Sequence, residues 1–281
     1  MLEKIQQVYP VLTKGQKKLA GYILSHHEKA AFLSTSELAA LVGVSEATVF
    51  RFALSLGYKG FPEFRKEMQL HLRQRITQSL KLKKTAPHKE TKDGFLENVF
   101  RIDMDNLNRT LSELAPSKFH RAVEMILRAK EAYTIGLRGS APLSAYFGLK
   151  LRQLSMKVTV LTVGTDDLYE EFLHFGNDSV VIGFSFTNYS RMTLNTLKQA
   201  KDSGASVVGF TDHEASPVYR LSDVAFTPRI EGISFSNSYT AVFTLMNALL
   251  AEIADRRRKE SLAFLKATEE LLKKYNQYVS G

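Results

Sequence analysis

The chain is predicted to belong to the α + α/β class, with an all-helical N-terminal domain and a C-terminal domain built on a doubly wound parallel sheet. Three observations predict this. Residues 34–57 read as two helices joined by a tight turn. From residue 132 onward, short apolar runs alternate with helical stretches, the pattern of a parallel sheet covered by helices on both faces. The excess positive charge lies almost entirely in the first third of the chain.

In residues 34–57, Ser34, Thr35 or Ser36 caps the first helix, because a side-chain oxygen there accepts an orphan backbone N–H. Leu38, Ala39, Leu41 and Val42 form its apolar face. Gly43 supplies the left-handed residue that a sharp turn needs. Ser45 caps the second helix and Gly57 ends it. Ala39 is small, so the helices can cross closely, and Val49 points back into their shared core. This is the pattern of a helix-turn-helix. Glu46, Ala47, Thr48 and Arg51 face outward as short or hydrogen-bonding groups suited to base edges and phosphates. With Thr35, Ser36, Ser45 and Lys59 they form the candidate DNA-contacting set. The competing reading is a small helical core that binds only protein.

Charge favours DNA. Residues 1–90 hold 15 Lys and Arg against 7 Asp and Glu, a net +8, while residues 91–281 hold 23 against 22, a net +1. A basic face attracts phosphate and releases counterions on binding. At 281 residues and 44% apolar content, two compact domains are expected. No apolar run approaches the ~20 residues of a membrane span. The first residues lack the apolar stretch of a signal peptide. The absence of cysteine excludes disulfides and thiolate metal sites and fits a cytoplasmic protein.

In chain order, residues 13–25 form an amphipathic helix, with Leu19, Ala20, Ile23 and Leu24 inward and Lys14, Lys17 and Lys18 outward. A short helix follows over 28–33, then the helix-turn-helix. Pro62 opens another helix, continuing through Phe64, Met68 and Leu72 towards Leu82. The polar stretch 81–94, containing Pro87, reads as a linker. The first ~80 residues resemble the N-terminal domain of RpiR/MurR-type bacterial regulators. The resemblance rests on Leu12-Thr-Lys-Gly-Gln-Lys-Lys-Leu-Ala, Phe32-Leu-Ser-Thr-Ser-Glu-Leu-Ala, Val44-Ser-Glu-Ala-Thr-Val-Phe-Arg-Phe and Leu56-Gly-Tyr-Lys-Gly-Phe.

Residues 95–114 and 116–129 are predicted helical, with Asp103, Asp105 and Glu113 on a solvated face. Strands are expected at 132–136, 158–162, 179–185, 206–211 and 224–227. Helices are expected at 141–154, 166–174, 190–203 and 237–258, and one or two more over 254–278. Arg256-Arg-Arg-Lys259 reads as a solvated helix end rather than a DNA contact.

Two strand ends carry chemistry. Gly136-Leu-Arg-Gly-Ser140 follows the first strand and Ser185-Phe-Thr-Asn-Tyr-Ser190 the third, and each opens a helix. Backbone N–H groups, the helix dipole and hydroxyls hold phosphate well at such a place. Ser140, Ser185, Thr187 and Ser190 suffice to surround one phosphate without a lysine. The alternative is that they are helix caps and turn residues.

Residues 99–254 resemble the sugar isomerase (SIS) phosphosugar-binding domain, whose Gly-x-Gly-x-Ser and Ser-x-Ser-Gly-x-Thr loops bind the sugar phosphate. The resemblance implies effector binding by Ser140, Ser185, Thr187 and Ser190, with Glu231 and Ser236 facing the ligand from before the next long helix. Arg138 and Asn188 stand where the family has glycine. Arg138 either adds a charge-assisted bond to an anion or fills the pocket. Asn188 tolerates left-handed geometry. Phe184, Phe186 and Tyr189 are bulky for a sugar site unless they belong to the core.

The reading is a homo-oligomeric DNA-binding transcriptional regulator, dimeric or tetrameric. Residues 1–80 bind an inverted-repeat operator in double-stranded DNA, 81–94 link, and 95–281 dimerise and sense a small phosphorylated metabolite. No cofactor, metal or membrane is expected. The alternative is a phosphosugar isomerase with an appended DNA-binding domain. That needs a placed base and acid, whereas Glu231 has no clear partner and His174 and His213 are isolated.

Overall fold

The computed structural model describes residues 2–75, 79, 81–82, 93–162 and 168–277. The chain divides into two units, Met1–Thr77 and Gln78–Gly281.

The first unit is helical: α1 (Leu2–Val8), α2 (Lys14–Ala30), α3 (Thr35–Val42), α4 (Glu46–Ser55) and α5 (Phe61–Arg75). The sequence gives no periodic signal for α1, yet its Ile5 is fully buried among Leu19, Ile23 and Phe52. The two helices expected at 13–25 and 28–33 run together as α2, with the break between them at His26, whose backbone is non-helical (φ −135°, ψ 35°). Of the three candidate caps for α3, Ser34 is the one used. Its Oγ accepts the Glu37 N–H at 3.2 Å, and the Glu37 carboxylate accepts the Ser34 N–H at 2.7 Å. This reciprocal box satisfies two orphan donors. Gly43 closes α3 at φ +70°. The Val44 N–H reaches the Ala39 carbonyl at 3.0 Å and the Gly43 N–H the Ala40 carbonyl at 3.3 Å, the two bonds of a Schellman turn. The axes of α3 and α4 are bent by 104°. Ala39 and Val49 are buried between them, as expected, but Leu41 is exposed. Residues 76–78, 80 and 83–92, over which the rest of α5 and most of the linker were expected, lie outside the described residues.

In the second unit, α6 (Asp93–Glu113) and α7 (Pro116–Arg128) precede a sheet of β1 (Glu131–Gly136), β2 (Val158–Leu161), β3 (Ser179–Phe184), β4 (Ser206–Phe210) and β5 (Val224–Phe226). Among the described residues these form one five-stranded parallel sheet in the order β2-β1-β3-β4-β5. The intervening helices are α8 (Ala141–Gln153), α9 (Leu168–Glu171), α10 (Arg191–Asp202) and α11 (Pro217–Leu221), followed by α12 (Thr240–Arg256) and α13 (Arg258–Lys274). The first residues of the helix expected at 166–174, and residue 278, lie outside the described residues.

Successive side chains of a strand point to opposite faces, and here both faces are covered. Val180, Ile182 and Phe184 of β3 join the core made with α7, α8 and α12. Val181 joins the other core, with Leu168, Leu197 and Val218 of α9, α10 and α11. Parallel register aligns Phe184 with Phe210 and Phe210 with Phe226. Their rings pack across three strands, Phe184 stacked on Phe210 at 4.7 Å between centroids and Phe226 tilted against Phe210 at 5.1 Å. Phe184 is therefore a core residue, and Phe186 is buried against the same core.

The strand order positions the site. From β1 the chain crosses outward to β2, and from β3 it crosses the other way to β4. The loops leaving β1 and β3 therefore lead in opposite directions, and the carboxyl ends of these two strands mark the topological switch point at which doubly wound sheets bind ligands.

Candidate functional site

On the first unit, α4 presents the expected residues to solvent. Glu46, Ala47 and Arg51 are exposed and Thr48 is half-buried. Ser45 is occupied as a cap: its Oγ accepts the Thr48 N–H at 3.2 Å and lies 2.9 Å from the Thr48 hydroxyl. Thr35 is half-buried, and Ser36 and Lys59 are exposed. Glu37 is held below the ordinary carboxylate value, chiefly by the Ser34 backbone bond and then by the Ser34 hydroxyl.

On the second unit, Gly136 ends β1 because a Cβ there would lie 2.4 Å from the Ser140 carbonyl oxygen. Residues Arg138–Ser140 make one 3₁₀ turn that delivers Ser140, buried, to the start of α8. Arg138 adopts φ +54°, a conformation suited to the family's glycine. Its guanidinium is exposed and makes no hydrogen bond or ion pair among the described residues.

After β3, buried Ser185 accepts the Ser190 N–H at 3.3 Å, folding the loop onto its own base. Ser190 then caps α10 by accepting the Thr193 N–H at 3.4 Å. The left-handed position is Thr187 (φ +44°) rather than Asn188. The reason is tertiary: the Asp212 carboxylate, just beyond β4, accepts the Thr187 N–H at 3.2 Å and the Tyr189 hydroxyl at 2.6 Å. Tyr189 thus holds the loop through its phenol.

The segment before α12 packs against these loops. The Asn237 amide donates to the Thr187 hydroxyl at 3.5 Å. The Tyr239 ring packs on Phe186 at 5.4 Å, and its phenol lies beside Asn237 and Ser140. Burial raises its phenol above the ordinary tyrosine value. The Lys81 ammonium donates to the side-chain amide oxygen of Asn237 at 2.7 Å. Burial lowers the Lys81 pKa, and the Asp212 charge opposes that shift.

Ser185 and Ser190 are therefore bonded to each other within the β3 loop, Thr187 bonds to Asp212 and Asn237, and Ser140 is buried at the start of α8. Glu231 and Ser236 are not joined to these four residues by their side chains. Glu231 is exposed, with its carboxylate 3.3 Å from Arg109 of α6. Its backbone is clamped by buried Asn106, which donates to its carbonyl at 2.8 Å and accepts its N–H at 3.2 Å. The Ser236 hydroxyl donates to the Asn237 carbonyl. Two of the three acidic residues expected to be merely solvated, Asp103 and Glu113, bond to residues flanking this same segment, and the third pairs within its own helix. Asp103 accepts the Thr240 hydroxyl at 2.8 Å, Asp105 pairs with Arg109 at 3.4 Å, and Glu113 accepts from Arg229 at 3.0 Å.

Asp212, Asn237, Tyr239 and Lys81 were not singled out from sequence. Asp212 had a signal, as a carboxylate directly after a strand end beside the two loops. Lys81 had none, being 156 residues from its partner.

Residues 1–75 match the family model of the rpiR-family helix-turn-helix domain, and residues 125–252 match that of the SIS domain. The sugar isomerase domain of an RpiR transcription factor from Sphaerobacter thermophilus is 32% identical. That match covers 63% of this chain and 98% of the other, with a TM-score of 0.60. The chain belongs to the RpiR family. The HTH-type transcriptional regulator HexR of Escherichia coli K12 is 27% identical to this RpiR-family protein over 281 residues, covering 97% and 94% of the two chains. The Vibrio vulnificus NanR protein, complexed with ManNAc-6P, shares the fold over 98% of both chains, with 20% identity and a TM-score of 0.60. This RpiR-family chain is a transcriptional regulator with a helix-turn-helix and a SIS domain.

Proposed function

We propose that this regulator binds operator DNA through α3 and α4 and that a small phosphorylated metabolite, most simply a sugar phosphate, controls that binding from the switch point at the carboxyl ends of β1 and β3. One observation carries the reading: the β2-β1-β3-β4-β5 order brings two hydroxyl-bearing, helix-opening loops to the point where a doubly wound sheet opens. Thr35, Ser36, Ser45, Glu46, Ala47, Thr48, Arg51 and Lys59 are the DNA contacts, and Ser140, Ser185, Thr187, Ser190 and Arg138 surround the effector. Residues 1–80 form the reading domain, 81–94 the linker and 95–281 the sensor. Effector must bind the DNA-competent and DNA-incompetent states unequally, since equal affinity shifts nothing.

The protein works as a homo-oligomer in the cytoplasm. Leu96, Phe100, Met104 and Leu111 recur along one side of α6 and are exposed, which supports association of copies through helices of the sensor. In a dimer, two recognition helices set one DNA turn apart, ~34 Å, read an inverted repeat. Sensing is favoured over isomerase chemistry because the Glu231 carboxylate is engaged by Arg109, away from the loop hydroxyls.

The test is a thermal-shift screen of the full chain against sugar phosphates, amino-sugar phosphates and small carboxylates. A ligand of the folded state raises the melting temperature by mass action. The expected result is a phosphorylated hit that is lost in the Ser185→Ala/Ser190→Ala variant. A hit that survives in that variant overturns the site, and turnover of an aldose or ketose phosphate overturns the sensor reading.

A further inference from the structure

Helix α4 leaves two large apolar side chains half outside the core of its own unit. Phe50 is 47% exposed and Leu54 46%. Residues three and four apart share one side of a helix. Ala47, Phe50, Arg51 and Leu54 are all exposed and lie together, on the side opposite buried Val49, Phe52 and Ala53. The Phe50 ring is seated rather than loose. A Cβ at Gly60 would lie 3.2 Å from one edge of the ring, so glycine there lets the ring rest against the turn that follows α4. A group already held in place loses less freedom on binding. The charge around the patch is positive. Arg51 follows Phe50, Lys59 precedes Gly60, and both are exposed. An apolar protein surface fits such a patch poorly, because charged groups are depleted at the centre of protein interfaces. A DNA duplex fits both parts. Its phosphates meet the cations, and in the major groove the thymine methyl is an apolar group at a base edge.

We propose that Phe50 is a specificity-determining residue that reads the methyl group of a thymine in the operator, with Leu54 extending the apolar contact along α4. This rests on the operator reading given above and deepens it by naming a base. The second helix of a helix-turn-helix lies in the major groove with its first residues on base edges, and Phe50 stands on the second turn of Glu46–Ser55. The ring discriminates without a hydrogen bond. It covers a thymine methyl, whereas a cytosine in the same place presents an amine donor that the ring leaves unpaired. Arg51 contributes charge, which acts on the duplex whether or not the methyl is present.

The experiment selects a pool of random-sequence duplex DNA on the full chain. Each thymine of the enriched sequence is then replaced in turn by uracil, which lacks only the methyl group. Affinity is measured for the native chain, Phe50→Ala and Arg51→Ala. The expected result is a thymine at which uracil weakens native binding about three- to fivefold, the change that exposing one methyl group brings. In Phe50→Ala the thymine and uracil duplexes bind equally. In Arg51→Ala both weaken and the ratio between them stays. If melting shows that Phe50→Ala does not fold, Phe50→Gln, which still covers Gly60, takes its place with the same expectation. Native binding indifferent to uracil at every thymine overturns the proposal and leaves the operator reading standing. A uracil effect of native size in the folded variant overturns the role of Phe50. Failure of the native chain to enrich any sequence overturns the operator reading as well.

Discussion

Thr187 holds a β-branched side chain at φ +44°, and Arg138 holds a long one at φ +54°. Left-handed backbone at non-glycine residues costs on the order of 1 kcal/mol or more per site and persists only where surroundings over-determine it. For Thr187 the surroundings are the Asp212 carboxylate on its N–H and the Asn237 amide on its hydroxyl. Sequence reasoning expected Asn188 to take this conformation because asparagine tolerates it locally. The local preference lost to a carboxylate 25 residues away. The tightest backbone requirement lies at Gly136, where a Cβ would meet the Ser140 carbonyl at 2.4 Å. Gly136→Ala is expected to destabilise the sensor by about 1–3 kcal/mol and to weaken phosphate binding, since the turn carrying Ser140 must move. Melting temperature and phosphate titration check this together; an unchanged melting temperature would mean that the turn relaxes freely.

At the scale of elements, α3 depends on its capping box. Ser34→Ala leaves the Glu37 N–H without its acceptor and is expected to cost about 1 kcal/mol of first-unit stability, read by chemical denaturation. The box also makes that stability depend on pH. The folded-state pKa of Glu37 lies below the ordinary value of 4.5. Its contribution is therefore complete above 4.5 and is lost as pH falls from there through the folded-state value. Glu37→Gln should flatten this acid limb; an identical limb in the variant would assign it to other carboxylates. The Ser45 cap, Gly43 and the buried Leu38, Ala39 and Val49 were legible in sequence because caps and apolar faces are set within four residues of one another. Helix α1 was not, because its helicity comes from burying Ile5 on α2 and α4 rather than from its own periodicity.

For the whole molecule, charge separates along the chain: net +8 in residues 1–90 against +1 in the rest. Operator affinity is expected to fall linearly in log–log form with salt, with a slope of about −0.9 per phosphate contacted. A flat salt dependence would remove the basic face from the interface. Arg51 is exposed on α4, so Arg51→Ala should weaken operator binding while changing stability by no more than about 0.5 kcal/mol. Operator titration beside thermal melting separates the two. An affinity equal to the native one would take Arg51 out of the contact set.

Sequence by itself determined the two-part architecture, the helix-turn-helix with Gly43 and Ser45 in their roles, and the alternation that becomes a parallel sheet. These follow from periodicity and from caps and turns whose partners are near neighbours in the chain. It also brought out the hydroxyls of the β1 and β3 loops, since strand ends that open helices are recognisable locally. Only the tertiary structure decided that Glu231 belongs to an ion pair with Arg109, that Phe184 belongs to the core, that Asp212 and Asn237 bond to Thr187, and that Lys81 bonds to Asn237. Each of those placements joins elements far apart in sequence. Such contacts are chosen by which buried polar groups must find partners once the sheet has formed, and no local pattern announces them.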